Sequence, residues 1–191
     1  MRALTLLAVL FGASSTATLI HTEFPHLLIA LKQSQPDTHF DTQFDATVSY
    51  FNATGLSKHV EISFDVPDNE AAICRLNFLI NTSPQKNAPY SLSGMPPYAL
   101  NISRLQPTIN KDTDTWNSRP NVTDYMATYL LTQAGSVSTA FSKWFPCPKG
   151  QIAQFLLLPA DEERDFEYYW FELDYPKQDG GPHGVVLEMH T

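Results

Sequence analysis

Glu172 and Asp174 stand two residues apart in a run, Phe166 to Tyr175, dense in aromatic side chains. Residues two apart on an extended chain face the same side, so these carboxyls share a face. Two carboxyls about 5 to 9 Å apart, one of raised pKa, serve glycosidic hydrolysis. Same-face acidic pairs are common on strands, so this pair alone specifies no reaction. Asp37, Asp41 and Asp45 recur every fourth residue and offer oxygen ligands of the kind calcium takes. A solvated acidic loop has the same pattern and is the preferred reading. His21 could serve copper only as a mature N-terminal residue, with His26, His39 or His59 as a second ligand. Cleavage after Ile20 lacks the small residue that signal processing prefers. The sequence has no Gly-x-Ser-x-Gly elbow, His-Glu-x-x-His pair or glycine-rich phosphate loop. The expectation is no catalytic residue, no metal and no cofactor.

Aromatic residues offer a different chemistry, stacking against a sugar ring. Trp170 and Tyr168 lie in the densest strand and are expected in the core. Trp116 lies in the polar stretch Thr108–Asn121, read as a long surface loop, and is the candidate for an exposed binding contact. Asp161 to Asp165 is a charged hairpin tip between two apolar runs.

The address is plainer than the chemistry. Met1 to Ala17 has Arg2, an apolar core from Ala3 to Phe11 and the small exit Ser15-Thr16-Ala17. This is the layout of a secretory signal peptide, leaving 18–191 as a single domain. Four acceptor sequons begin at Asn52, Asn81, Asn101 and Asn121, each calling for an exposed amide in a secretory lumen. Cys74 and Cys147 are expected to form a disulfide bond in that compartment, the alternative being two separately buried thiols. The net charge of −8 includes Arg2, so the mature chain is more acidic still. That argues against nucleic acid and anionic membranes as partners. After the leader no run approaches the roughly 20 apolar residues of a membrane span. The localisation expected is extracellular or at a cell wall.

The elements that must position these residues are short strands closed by turns. Candidates are Phe24–Leu31, Thr47–Phe51, His59–Val66, Cys74–Ile80, Tyr98–Leu105, Tyr125–Leu131, Val137–Trp144, Ile152–Leu158, Glu167–Tyr175 and Val185–His190. Val60, Ile62, Phe64 and Val66 alternate with polar Glu61, Ser63 and Asp65, as in a strand with one covered face. The run from Phe166 to Leu173 is apolar on both parities and reads as a central strand covered on both faces. The fold class expected is all-β, a two-layer antiparallel sandwich of about nine to ten strands.

In order along the chain, Phe24-Pro25-His26-Leu27-Leu28-Ile29, Phe44-Asp45-Ala46-Thr47-Val48-Ser49, Ile62-Ser63-Phe64-Asp65-Val66-Pro67, Cys74-Arg75-Leu76-Asn77-Phe78-Leu79, Pro146-Cys147-Pro148-Lys149-Gly150 and Asp174-Tyr175 with Gly184 form a recognisable series. The series resembles a family of fungal secreted domains named for the C-terminal domain of the But-two protein, a partner of a ubiquitin-like-activating enzyme. The resemblance covers about residues 24–190. It implies a secreted β-sandwich with no established catalytic set. Members commonly end in a further cysteine, whereas this chain ends Glu188-Met189-His190-Thr191, leaving Cys74 and Cys147 as the only internal pair. The function expected is non-catalytic binding of an extracellular glycan or protein. The alternatives are an extracellular carbohydrate-active enzyme and an interaction module of a ubiquitin-like pathway.

Overall fold

The structure, a computed structural model, describes residues 17–191. The expected leader, apart from Ala17, lies outside the described residues.

Among the described residues there are thirteen strands and one turn of 3₁₀ helix, Lys177–Asp179. In chain order the strands are β1 (Leu19–Glu23), β2 (Leu27–Lys32), β3 (Asp45–Phe51), β4 (Leu56–Asp65), β5 (Ile73–Leu79), β6 (Tyr90–Gly94), β7 (Tyr98–Leu105), β8 (Val122–Leu131), β9 (Val137–Ser142), β10 (Phe145–Pro146), β11 (Ile152–Pro159), β12 (Phe166–Phe171) and β13 (Gly184–His190). They form two sheets. The small one runs β1-β13-β5-β10. The large one runs β6-β12-β3-β4-β11-β7-β8-β9, with β2 paired on β4. Every pairing is antiparallel, and the two layers form the expected sandwich. All ten expected strands are present. Three more, β1, β6 and β10, are short edge strands without a clean alternation.

The core fills the space between the sheets. Val60, Ile62, Phe64, Leu100, Ile102, Phe155 and Leu157 face it from the large sheet, and Leu76, Phe78, Val185, Leu187 and Met189 from the small one. Phe78 anchors an aromatic cluster, its ring centroid 5.5 Å from Trp170, 5.6 Å from Tyr168 and 6.1 Å from Tyr129. The Tyr129 hydroxyl donates to the Leu76 carbonyl across the layers, so this polar tip is satisfied where it is buried. Cys74 and Cys147 are bonded, tying β5 to the chain just after β10.

Two expectations about covered faces are corrected. In β12, Phe166, Tyr168 and Trp170 are buried, but Glu167, Tyr169 and Phe171 are half-buried, so only one face is fully covered. In β4 the polar face is covered too: His59, Glu61 and Ser63 are all buried. Their cover is the stretch after β7, expected as a surface loop. It straps the outer side of the large sheet, where Ile109 and Trp116 pack on Leu31, Leu105 and Leu156. Gln154 pins the strap, accepting from the Ile109 amide at 2.9 Å and donating to Ser63 at 3.2 Å. Asn117 donates to Asp37 at 2.8 Å, which fixes its far side.

Candidate functional site: a cleft where the large sheet divides

The large sheet splits at Lys58. β4 pairs with β3 from Leu56 to Lys58 along one edge and with β2 from Lys58 to Ser63 along the other, so Lys58 faces both Ser49 and Lys32. Beyond it β2 and β3 run parallel to each other with no ladder between them. The backbone directions follow from alternation. Leu28 donates to Thr42 Oγ1 and accepts from the Gln43 amide, both away from β4. Two residues on, the Ala30 N–H and C=O therefore point the same way, into the split. On the other side the Phe44 carbonyl accepts from the Glu172 amide, so even-numbered residues of this stretch bond toward β12. The N–H and C=O of Asp45 and Thr47 then point into the split from the opposite bank.

Side chains shape this gap into a cleft. Its outer part, about 280 Å³, is lined by Phe24, Pro25, Leu28, Gln43, Phe44 and Glu172, with Asp174 at the rim. Its inner part, about 220 Å³, shares Leu28 and Gln43 and continues to Ala30, Thr47 and Lys58. Phe44 is 76% exposed and leans on Phe171, ring centroids 6.3 Å apart. An exposed phenyl ring at the mouth of a mainly apolar cleft is a ready anchor for a ligand.

Glu172 gives the cleft its polar floor. Its Oε2 accepts from Trp170 Nε1 at 2.9 Å and from the Val185 amide at 3.2 Å. Oε1 is buried with no partner. Burial pushes the carboxyl up to about 8, against the two hydrogen bonds that favour its ionised form. Near neutral pH the carboxyl is chiefly protonated. Asp174, expected to share its face, is exposed at the same outer cleft. The carboxyl pair thus meets at a cleft, in unlike environments.

The other expected site residues are dispersed. Trp116 is half-buried rather than freely exposed, because its ring lies 4.5 Å from the His59 ring with the Arg119 guanidinium 4.6 Å over it. Beneath the strap Glu61 is fully buried and neither carboxylate oxygen has a partner. Burial, with Asp114 adding and Arg119 opposing, pushes Glu61 up to about 8. Burial and Arg119 bring His59 down to about 3. His21 pairs with Glu23 at 3.0 Å, His26 with Asp65 at 3.3 Å and Asp41 with Lys111 at 3.9 Å. Among the described residues no three His, Cys, Asp or Glu side chains come together as a metal site.

The sequons are unequal. Asn52 and Asn121 are exposed and Asn101 is half-buried. Asn81 corrects the expectation of an exposed amide: it is 2% exposed, and its Nδ2 donates to the Gly181 carbonyl at 2.6 Å and the Asp179 carbonyl at 3.0 Å. Both amide hydrogens are thus engaged inside the fold.

Sequence reasoning missed the split because backbone direction, not residue type, defines it. The signal lay in the two stretches that form its banks, Phe24 to Ile29 and Phe44 to Ser49, which were noted only as marks of resemblance. Among the described residues no helix is long and apolar enough to cross a membrane. No curated protein matches the chain. A family model described as the ubiquitin 3 binding protein But2 C-terminal domain matches residues 23–173, which takes in both banks of the cleft and Glu172. The chain, an antiparallel β-sandwich, belongs to the But2 C-terminal domain family.

Proposed function

We propose that this is a secreted binding domain whose ligand is an extended segment of a partner polypeptide, laid between β2 and β3. The observation that carries this reading is a cleft lined by strand groups without a ladder partner, Ala30 of β2 on one bank and Asp45 with Thr47 of β3 on the other, beyond the point where Gln43 bonds Leu28. An added strand gains main-chain hydrogen bonds from such groups and specificity from pockets that take alternate side chains. The cleft supplies such pockets: an apolar one at Phe24 and Phe44, with the Glu172 carboxyl at its floor. The family's description, which calls But2 a ubiquitin 3 binding protein, supports a protein partner, and a ubiquitin-like protein is therefore one probe to test.

The extracellular setting is supported by the Met1–Ala17 layout, the sequons and the bonded cysteine pair. A glycan ligand is the second reading, favoured by the exposed Phe44 ring beside Asp174 and Gln43, an aromatic platform flanked by groups that bond hydroxyls.

Selection of the secreted domain against a displayed library of random twelve-residue peptides, a ubiquitin-like protein and a glycan array separates these readings. Enrichment of peptides whose binding falls at least tenfold in Ala30→Tyr, which fills the inner cleft, and in Phe44→Ala is the expected result. Enrichment on the glycan array alone would replace the polypeptide reading with the glycan one.

A further inference from the structure

A second exposed aromatic feature lies far along the large sheet from the cleft. Tyr125 of β8 and Phe141 of β9 stack ring on ring, centroids 5.2 Å apart and planes within 8°. They are 43% and 44% exposed, a stacked apolar pair open to solvent. The strand register says what lies beside them. Asn101 pairs with Thr128, and Thr128 with Phe141, so the three form one row across β7, β8 and β9 on the same face. A bulge in β8 brings Tyr125 opposite Ser103, which lies on that face as well.

A hydroxyl relay orders the row. The Tyr125 hydroxyl bonds Thr128 Oγ1, which donates to Asn101 Oδ1. The Asn101 carboxamide is thereby oriented by its oxygen, while no hydrogen bond among the described residues engages its nitrogen. Asn101-Ile102-Ser103 is an acceptor sequon. Adjacent strands lie about 4.8 Å apart, so Phe141 is about 10 Å from Asn101 across the face, within reach of a linked sugar.

We infer that Asn101 carries an N-linked glycan whose first N-acetylglucosamine lies along this face, against the Tyr125–Phe141 stack. In the modification Asn101 Nδ2 displaces the lipid pyrophosphate of an oligosaccharide donor at the anomeric carbon. The C–O bond breaks as the N–C bond forms, and the amide proton leaves. The apolar C–H face of the sugar then covers the electron-rich ring faces, which a sheet surface otherwise leaves to water. The relay holds the amide so that its nitrogen, not its oxygen, is the free end. The inference rests on the extracellular part of the proposed function and not on the cleft.

The test uses the full chain secreted from a eukaryotic host. Glycopeptide mass spectrometry is expected to find Asn101 occupied and Asn81 bare. Ser103→Ala, which removes the sequon and keeps Asn101, is expected to lower the melting temperature by about 2–4 °C in the native background. In a Phe141→Ser background the same change is expected to have no effect. Trimming to a single N-acetylglucosamine is expected to keep the native value, since the first sugar makes the contact. If Phe141→Ser does not fold, upfield ring-current shifts of that sugar's protons in the native glycoprotein provide the readout, and their absence overturns the contact. Asn101 bare with Asn52 or Asn121 occupied overturns the inference alone, as does an equal loss of stability in both backgrounds. A secretory host product with no glycan at any acceptor overturns it together with the extracellular reading.

Discussion

Gly184 makes room for Glu172. A β-carbon at Gly184 would lie 2.2 Å from Glu172 Oε2, and the residue's φ of +123° is one that side chains rarely adopt. The first residue of β13 thus admits the buried carboxyl that floors the cleft, joining the small sheet to the end of β12. Gly184→Ala is expected to destabilise the fold by about 2–4 kcal/mol through steric conflict and backbone strain. Urea unfolding measures it, and a loss below 0.5 kcal/mol (roughly the scale of a neutral surface change) would contradict the packing described.

Glu61 and Glu172 make stability depend on pH in a stated direction. Their free value is 4.5 and their value in the fold about 8, so between these limits the fold holds protons that the unfolded chain has released. Stability therefore falls as pH rises through this window. His59 acts oppositely, since its folded value of about 3 lies below its free 6.5: its contribution is complete above 6.5 and lost as pH falls. The range from 6.5 to 8 isolates the carboxyls. Urea midpoints are expected to decline across it, and Glu61→Gln and Glu172→Gln are each expected to remove about half of the slope. Flat midpoints in the native protein would show that neither carboxyl is held protonated.

The disulfide closes a loop with a sequence separation of 73 residues. Constraining the unfolded chain over that length stabilises the fold by about 4 kcal/mol in the chain-entropy model. Cys147→Ala is expected to lower stability on that scale, and non-reducing peptide mapping to recover Cys74 joined to Cys147. Two alkylatable thiols in the native protein would contradict the bond.

Trp116 is held between His59 and Arg119 over the outer sheet face. Trp116→Ala is therefore expected to lower stability by about 1–2 kcal/mol, less than for a fully buried tryptophan. An unchanged melting temperature would mean that the strap does not depend on this ring.

Much of the fold was legible because strand alternation is local. Val60, Ile62 and Phe64 announce their inward face residue by residue. Glu61 and Ser63 carry no such mark for a second cover, because that cover is a strap of Asp, Asn and Thr residues that folds back by hydrogen bonds such as Ile109 to Gln154, not by periodicity. Edge strands such as β10, two residues long, are set by the partner strand β5 and not by their own pattern. The cleft was the least legible feature. Phe24 and Phe44 are twenty positions apart and meet because the Gln43 amide bonds the Leu28 carbonyl, which brings the chain ahead of β3 to the outer edge of β2. Glu172 was noticed as a carboxyl with a same-face neighbour, but its burial depends on a glycine twelve residues later.

Amide hydrogen exchange across the split tests the central claim most directly. With a peptide enriched from the displayed library bound, the Ala30, Asp45 and Thr47 amides are expected to slow at least tenfold, while those of the β8–β9 hairpin stay unchanged. Ala30→Tyr is expected to abolish that protection together with binding. Peptide binding that leaves the amides of the split exchanging as in the free domain would contradict strand addition between β2 and β3.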